Sequence, residues 1–247
     1  NAILAAFQAK GKSILFNCAI EPEIKDLIKF LNKLGGKIIS NGRKITITGI
    51  KKVKKIQYDV MFDRIELGTY IIAAALSGKK VSLLNINPKI ITAELKVLKK
   101  MGVNFSISKK SIKVYESKKI KKINIKTEPY PGFPTDLQAQ IMVLMTKAEG
   151  VSKIKENIFE NRFMHVSELK RMGAKIEIEN NSAKIFGPTN LSGAEVMATD
   201  LRASVSLVLA GLIANNRTII NRIYHLDRGY FNLENKLKRC KASIKRI

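Results

Sequence analysis

One pattern occurs four times along this chain, and that repetition limits the folds open to it before any single motif is considered. Residues 1–49, 63–117, 134–188 and 198–247 each run through an apolar helical stretch, a turn, a short β-branched run, a second amphipathic helix and then alternating strands. The second helices align most closely: Phe30-Leu-Asn-Lys-Leu-Gly-Gly-Lys-Ile-Ile, Val97-Leu-Lys-Lys-Met-Gly-Val-Asn-Phe-Ser, Glu168-Leu-Lys-Arg-Met-Gly-Ala-Lys-Ile-Glu and Lys236-Leu-Lys-Arg-Cys-Lys-Ala-Ser-Ile-Lys. A glycine directly after the apolar stripe, Gly35, Gly102 or Gly173, predicts a left-handed helix stop before a strand. Lys241 holds that place in the fourth copy and predicts a weaker cap.

The first helices, such as Thr69-Tyr-Ile-Ile-Ala-Ala-Ala-Leu and Ser204-Val-Ser-Leu-Val-Leu-Ala-Gly-Leu-Ile-Ala, are apolar on all sides and demand burial. They are too short to span a bilayer, and no other stretch approaches the roughly 20 apolar residues a span requires. The strands alternate with period two, Lys175-Ile-Glu-Ile-Glu turning at Asn180 and Asn181 into Ala183-Lys-Ile-Phe, so one sheet face is wet. The predicted fold is therefore α/β: repeated units with helices buried at the centre and sheets outside. Three such units would close one pseudo-threefold domain, which leaves the first copy over. The lysine run Lys51–Lys55 before Tyr58 marks the boundary, so residues 1–60 read as the last unit of an earlier, incomplete domain and 61–247 as a second domain of three units. The chain opens at Asn1 inside a helical pattern, and the expectation is that it is a fragment.

Composition enters through charge. Lys and Arg number 45 against 20 Asp and Glu, a net charge of +25, which raises the question of nucleic acid. The lysines are spread through the whole chain beside abundant Ile and Asn, as a coding bias supplies, and few aromatics interleave to stack on bases. No specific nucleic-acid partner and no membrane are expected. The start lacks the succession of a secretory signal, so the expected location is the cytoplasm. Cys18 and Cys240 stand far apart with no metal-ligand spacing around them, and both read as small buried apolar residues.

Three copies place an acid before the first helix: Asp63-Arg-Ile-Glu-Leu-Gly, Pro134-Thr-Asp-Leu-Gln-Ala-Gln and Ala198-Thr-Asp-Leu-Arg-Ala-Ser. Helix capping explains such an Asp, and is preferred for Asp63. Asp136 and Asp200 come from equivalent loops of adjacent repeats, which brings them to the same end of the domain, with Arg202 following. Phe159-Glu-Asn-Arg-Phe-Met-His-Val and Tyr224-His-Leu-Asp-Arg-Gly-Tyr occupy matching places in successive repeats, so Arg162 and Arg228 are expected on that face too. The bland alternative for the second segment is a surface pair of Asp227 with Arg228. Tyr224, His165 and His225 read as structural, each histidine beside a helix start satisfying a backbone carbonyl.

With Tyr130-Pro-Gly-Phe-Pro-Thr-Asp-Leu-Gln-Ala-Gln, Phe159-Glu-Asn-Arg-Phe-Met-His-Val-Ser-Glu-Leu, Ala198-Thr-Asp-Leu-Arg-Ala-Ser and His225-Leu-Asp-Arg-Gly-Tyr in order, the whole chain resembles the UDP-N-acetylglucosamine 1-carboxyvinyltransferases, a family of enolpyruvyl transferases. The resemblance implies two inside-out α/β barrels of three units each, with substrates in the cleft between them. It also implies a reaction. The 3-hydroxyl of UDP-N-acetylglucosamine adds to C2 of phosphoenolpyruvate, C3 takes a proton, and phosphate leaves, with no metal or other cofactor. Carried over residue by residue, Asp136 resembles the base and sugar-hydroxyl ligand, and Asp200 the carboxylate near the cationic C2. Arg202 and Arg228 resemble arginines facing phosphoenolpyruvate, while Ile158 and Arg162 resemble positions that line the nucleotide-sugar side. Glu21 and Glu23 resemble a stretch of the first domain, with helix-start capping as their alternative.

The family's reactive-loop cysteine, its N-terminal lysine and a loop arginine would lie upstream of Asn1, so this chain alone is expected to turn over no substrate. The full-length protein is expected to be monomeric. Two alternatives remain: a relative of 5-enolpyruvylshikimate-3-phosphate synthase, and a basic, non-enzymatic binding protein on the same fold.

Overall fold

The residue that stops the second helix of each repeat is left-handed in all four copies: φ is +105° at Gly35, +83° at Gly102, +91° at Gly173 and +65° at Lys241. The turn thus survives without glycine in the fourth copy, at the steric cost that an L side chain meets there. The computed structural model describes residues 1–78 and 80–247, in two units, residues 1–62 and 63–247.

The first unit holds α1 (Ala2–Phe7), β1 (Lys12–Leu15), α2 (Pro22–Lys33), β2 (Lys37–Asn41) and β3 (Lys44–Thr48). The strands form an antiparallel sheet in the order β1-β3-β2. Ile38, Ile45 and Ile47 on its inner face close a core with Ile3, Phe7, Ile28 and Leu31 from the helices, while Ile39 faces outward as the alternation requires. Asn32 fixes the register between α2 and β2: its amide donates to the Ile38 carbonyl at 2.9 Å and accepts from the Ile38 amide at 2.9 Å.

The second unit runs through three copies. The first is α3 (Arg64–Ser77), β4 (Val81–Leu84), α4 (Thr92–Lys100), β5 (Phe105–Ser108) and β6 (Ser111–Val114). A connector carries β7 (Ile120–Lys121) and β8 (Asn124–Lys126). The next copy is α5 (Gln138–Met145), β9 (Ala148–Lys155), α6 (His165–Arg171), β10 (Lys175–Glu179) and β11 (Ser182–Gly187). After a second connector with β12 (Glu195–Met197) come α7 (Leu201–Gly211), β13 (Ile219–Asn221), α8 (Tyr224–Asp227) and α9 (Leu233–Arg239).

The helices α3, α5 and α7 lie inside, each touching the other two. Every residue of α5 is buried, as is Ala203–Ala210 of α7. The sheets lie outside them. This is the predicted inside-out layering, but among the described residues the sheets stay separate, β4-β6-β5, β10-β11-β9-β7 with β8 also on β9, and β12-β13, so no continuous barrel closes.

Two features differ from the sequence reading. The connectors between copies carry strands that the repeat pattern does not contain: β7 and β8 pair in parallel with β9, and β12 pairs in parallel with β13. Among the described residues the fourth copy has no strand after α9, where the repeat pattern predicts a hairpin. Cys240 is exposed, contrary to its reading as a buried apolar residue, with no strand following α9 among the described residues, whereas its counterparts Met101 and Met172 are fully buried. Cys18 is half-buried against the first unit's core. Among the described residues no helix is long and apolar enough to cross a membrane.

Candidate active site

Residues Thr135–Leu137 form one tight helical turn that leads into α5, with Pro134 before it in extended conformation. Asp136 does not cap this helix, in keeping with the separation of Asp136 from the capping reading preferred for Asp63. Its carboxylate points away from the backbone and sits between two guanidinium groups: Arg162 Nη2 is 2.9 Å from Oδ1 and Arg202 Nη2 is 2.6 Å from Oδ2. Arg162 comes from the loop after β9 and Arg202 from the first turn of α7, so two repeats converge on one carboxylate. All three side chains remain partly exposed, at 28% for Asp136, 21% for Arg162 and 33% for Arg202, so a solute can reach them. Burial works against the Arg202 charge, yet the hydrogen bond and the charge of Asp136 hold its pKa above the ordinary guanidinium value.

Asp200 is the N-cap of α7. Its Oδ1 accepts from the amides of Arg202 at 2.8 Å and Ala203 at 3.0 Å, while Oδ2 has no hydrogen-bond partner among the described residues. Capping thus commits one oxygen and leaves the other free, and Arg202, two residues on, is aimed at Asp136 by the same helix start. Asp63 does what capping alone predicts, accepting from Ile65 N at 2.7 Å and Glu66 N at 3.1 Å.

His165, at the start of α6, is buried with its Nε2 3.3 Å from Met142 Sδ. Burial pushes its pKa down to about 4, although the negative charge of Asp200 and a hydrogen bond to the Arg162 backbone oppose the shift. That backbone bond is the role the sequence suggests for it. His225 differs: it stacks on Tyr224 with ring centroids 4.2 Å apart, and its buried Nε2 finds no partner among the described residues.

Beneath Asp136 lies a polar cluster that sequence reasoning missed. Gln140, fully buried in α5 two residues after the equally buried Gln138, donates to the Asp136 carbonyl at 2.9 Å and lies 3.3 Å from Thr69 Oγ1 and 3.4 Å from the Tyr230 hydroxyl. Thr69 and Tyr230 hydroxyls are 2.8 Å apart. Burial pushes the Tyr230 phenol up to about 12, the bonds to Thr69 and Gln140 pulling the other way. The available signal was the pair Gln138 and Gln140 at the start of a helix whose other residues are all apolar.

On the other side of Arg162, a recess of about 690 Å³ is lined by Ile158, Phe159, Arg162, Met164 and Ile178. Arg162 lies 5.0 Å from the centroid of the Phe159 ring, a cation–π arrangement. Ile158 is 36% exposed, and its amide donates to a Glu156 carboxylate oxygen at 2.8 Å. A larger recess of about 1060 Å³, lined among others by Tyr70, Val208, Leu226 and Leu237, contains none of Asp136, Arg162 and Arg202.

Arg228 is exposed and makes no ion pair or hydrogen bond among the described residues. The next residue, Gly229, lies so close to α7 that a Cβ would come within 2.9 Å of Leu201 Cδ2, which sets Arg228 beside the helix start that carries Asp200 and Arg202. Asp227 does not pair with Arg228; its partner is Arg246, with Nη2 2.5 Å from Oδ1. Glu21 and Glu23 lie in the first unit. Glu21 occupies the N-cap position of α2 without capping it through its side chain, and its buried Oε2 has no partner among the described residues.

Set beside known proteins, the chain is 58% identical over 248 residues to a UDP-N-acetylglucosamine 1-carboxyvinyltransferase of Pelagibacter ubique, covering all of this chain and 60% of that protein. Proteins of the same name match at 52% identity in Rickettsia canadensis, over all of this chain and 59% of the relative, and at 51% in Bartonella henselae, over 99% and 58%. The chain therefore spans about three-fifths of the length of the curated relatives it matches. Among solved structures, the enolpyruvyl transferase NikO from Streptomyces tendae superimposes with a TM-score of 0.89 at 26% identity, over 99% of this chain and 59% of that one. The EPSP synthase from Acinetobacter baumannii shares the fold, with a TM-score of 0.72 at 21% identity over 99% of this chain and 60% of that one. The family profile described as EPSP synthase (3-phosphoshikimate 1-carboxyvinyltransferase) matches residues 1–237, and the chain belongs to that family.

Proposed function

We propose that the protein carrying this chain transfers the enolpyruvyl group of phosphoenolpyruvate to the 3-hydroxyl of UDP-N-acetylglucosamine with release of phosphate, the first committed step of peptidoglycan synthesis. One observation carries the reading: the Asp136 carboxylate, clamped between Arg162 and Arg202 at a solvent-reachable junction of two repeats. Relatives of that name at 50–58% identity support it.

In this reading Asp136 is the base. Free of substrate it is held by two cations, Arg162 and Arg202. Phosphoenolpyruvate brings a phosphate and a carboxylate that compete for Arg202 and Arg228, whose planar forks fit both groups bidentately. As the anion takes over Arg202, Asp136 loses one cation contact, and its Oδ2 is released toward the incoming hydroxyl. It takes the hydroxyl proton while O3 bonds to C2, and C3 receives a proton from an acid outside this set of residues. The free Oδ2 of Asp200 faces the positive charge that develops at C2. Phosphate then leaves with the C2–O bonding pair, and C3 gives up a proton to restore the double bond. Ile158 and Arg162 serve the nucleotide-sugar side. Residues 1–60 are the last unit of an earlier domain, and a cytoplasmic monomer working without a cofactor belongs to the same proposal.

The test is phosphate release from phosphoenolpyruvate by the complete reading frame that contains this chain. Release should require UDP-N-acetylglucosamine and fall by about 10²-fold or more in Asp136→Asn, which keeps the shape but not the base. Release supported instead by shikimate 3-phosphate would replace the acceptor in this proposal. Silence with either acceptor, together with salt-sensitive binding of arbitrary DNA, would favour a basic binding protein.

A further inference from the structure

Glu156 ends the inward-facing series Ser152, Ile154, Glu156 of β9 and its continuation, and it is only 2% exposed. A carboxylate in such a place is costly unless every lone pair finds a donor. No cation pairs with it among the described residues. Its donors come instead from three separate segments. Oε1 accepts from Thr127 Oγ1 at 2.8 Å, from the Ile158 amide at 2.8 Å and from the Phe159 amide at 3.2 Å. Oε2 accepts from Thr135 Oγ1 at 2.8 Å. Thr127 in turn accepts from the Asn157 amide at 2.9 Å.

These segments hold the site. Thr135 precedes Asp136 directly, and Ile158 and Phe159 open the loop that delivers Arg162. We infer that Glu156 is a positioning residue: it ties the Thr135–Asp136 turn to the Ile158–Arg162 loop, so that the contact between Asp136 and Arg162 is set before any substrate arrives. A side chain that accepts through two oxygens can hold both segments at once, which an apolar core residue of similar volume cannot. Glu156 touches neither reacting group in this account; it acts through its neighbours. The geometric claim stands on these contacts, and its catalytic consequence rests on the enolpyruvyl-transfer reading.

Four variants separate the links. Thr135→Val keeps the shape and removes only the hydroxyl that reaches Oε2, and Thr135→Ser restores it. Glu156→Gln keeps an acceptor for the loop amides and offers Thr135 an N–H that its hydroxyl can accept, whereas Glu156→Leu removes everything. In the 247-residue chain, nitrogen-edited NMR of the Arg162 guanidinium should give a slowly rotating, protected signal in the unvaried protein, Thr135→Ser and Glu156→Gln, and a broadened one in Thr135→Val and Glu156→Leu. In the turnover-competent reading frame, Thr135→Val should lower kcat by roughly 10- to 100-fold with KM changed less than about threefold, because a displacement near 1 Å carries such a loss. Thr135→Ser should recover to within about threefold.

An Arg162 signal as sharp in Thr135→Val as in the unvaried chain would overturn the positioning role, as would Thr135→Ser behaving like Thr135→Val. A lost signal with unchanged kcat would overturn its catalytic consequence. If the unvaried reading frame releases no phosphate, the enolpyruvyl reading falls, and the NMR comparison still decides the positioning. Should Glu156→Leu fail to fold, the Thr135 pair decides alone.

Discussion

His165 shows how one side chain can link the site to the stability of the unit that carries it. Its folded pKa of about 4 lies below the ordinary value of 6.5, so between those values the unfolded chain binds a proton that the folded chain refuses. Stability from this group is complete above pH 6.5 and is lost as pH falls toward 4. Urea unfolding at pH 5 should yield roughly 2 kcal/mol less stability than at pH 7, and His165→Gln should flatten that slope. An equal slope in the variant would place the titration elsewhere. Sequence showed Asp136, Asp200, Arg162 and Arg202 as a set because their loops recur at matching places in adjacent repeats. It preferred capping for Asp63 but did not distinguish the capping Asp200 from the non-capping Asp136, since both sit in similar strings and only the φ/ψ of the flanking residues decides which carboxylate meets amides. Glu156 was legible in principle: it continues the inward phase of β9, where a charge has no business unless something receives it.

Among the elements, the repeated helix-to-strand turn offers the cleanest comparison, since the chain has made the same joint three times with glycine and once without. Lys241 is exposed and sits at φ +65°, so its side chain gains no packing to offset the strain. Lys241→Gly should raise stability by about 1 kcal/mol, read as a shift of the denaturation midpoint at constant slope. No shift would mean that unfolded-state entropy cancels the relief. The helices and hairpins were legible from period and turn residues, Asn180 at φ +54° included. The parallel strands β7, β8 and β12 were not, because two or three residues carry no periodicity and their partners lie some 20 to 30 residues downstream.

For the whole chain, the net charge of +25 sets the field in which any ligand arrives. The proposed substrates are polyanions, and a basic surface raises their local concentration in a salt-dependent way. Raising ionic strength from about 0.05 to about 0.5 M should increase KM for phosphoenolpyruvate several-fold and leave kcat nearly unchanged; a KM indifferent to salt would show that the charge plays no part in capture. The repeat architecture could be read from four aligned helices, yet the separateness of the sheets could not, since strand edges that stop short of one another leave no mark in hydropathy.

The connector strands carry a consequence for how such a protein can be cut and rejoined. Because β7 and β8 belong to the sheet of the copy that follows them, as β12 does to β13, a heritable module starts in the linker and not at the first helix. A crossover placed at about residue 118 or 189 would hand over a finished sheet, whereas one placed just before α5 or α7 would separate each sheet from strands that complete it.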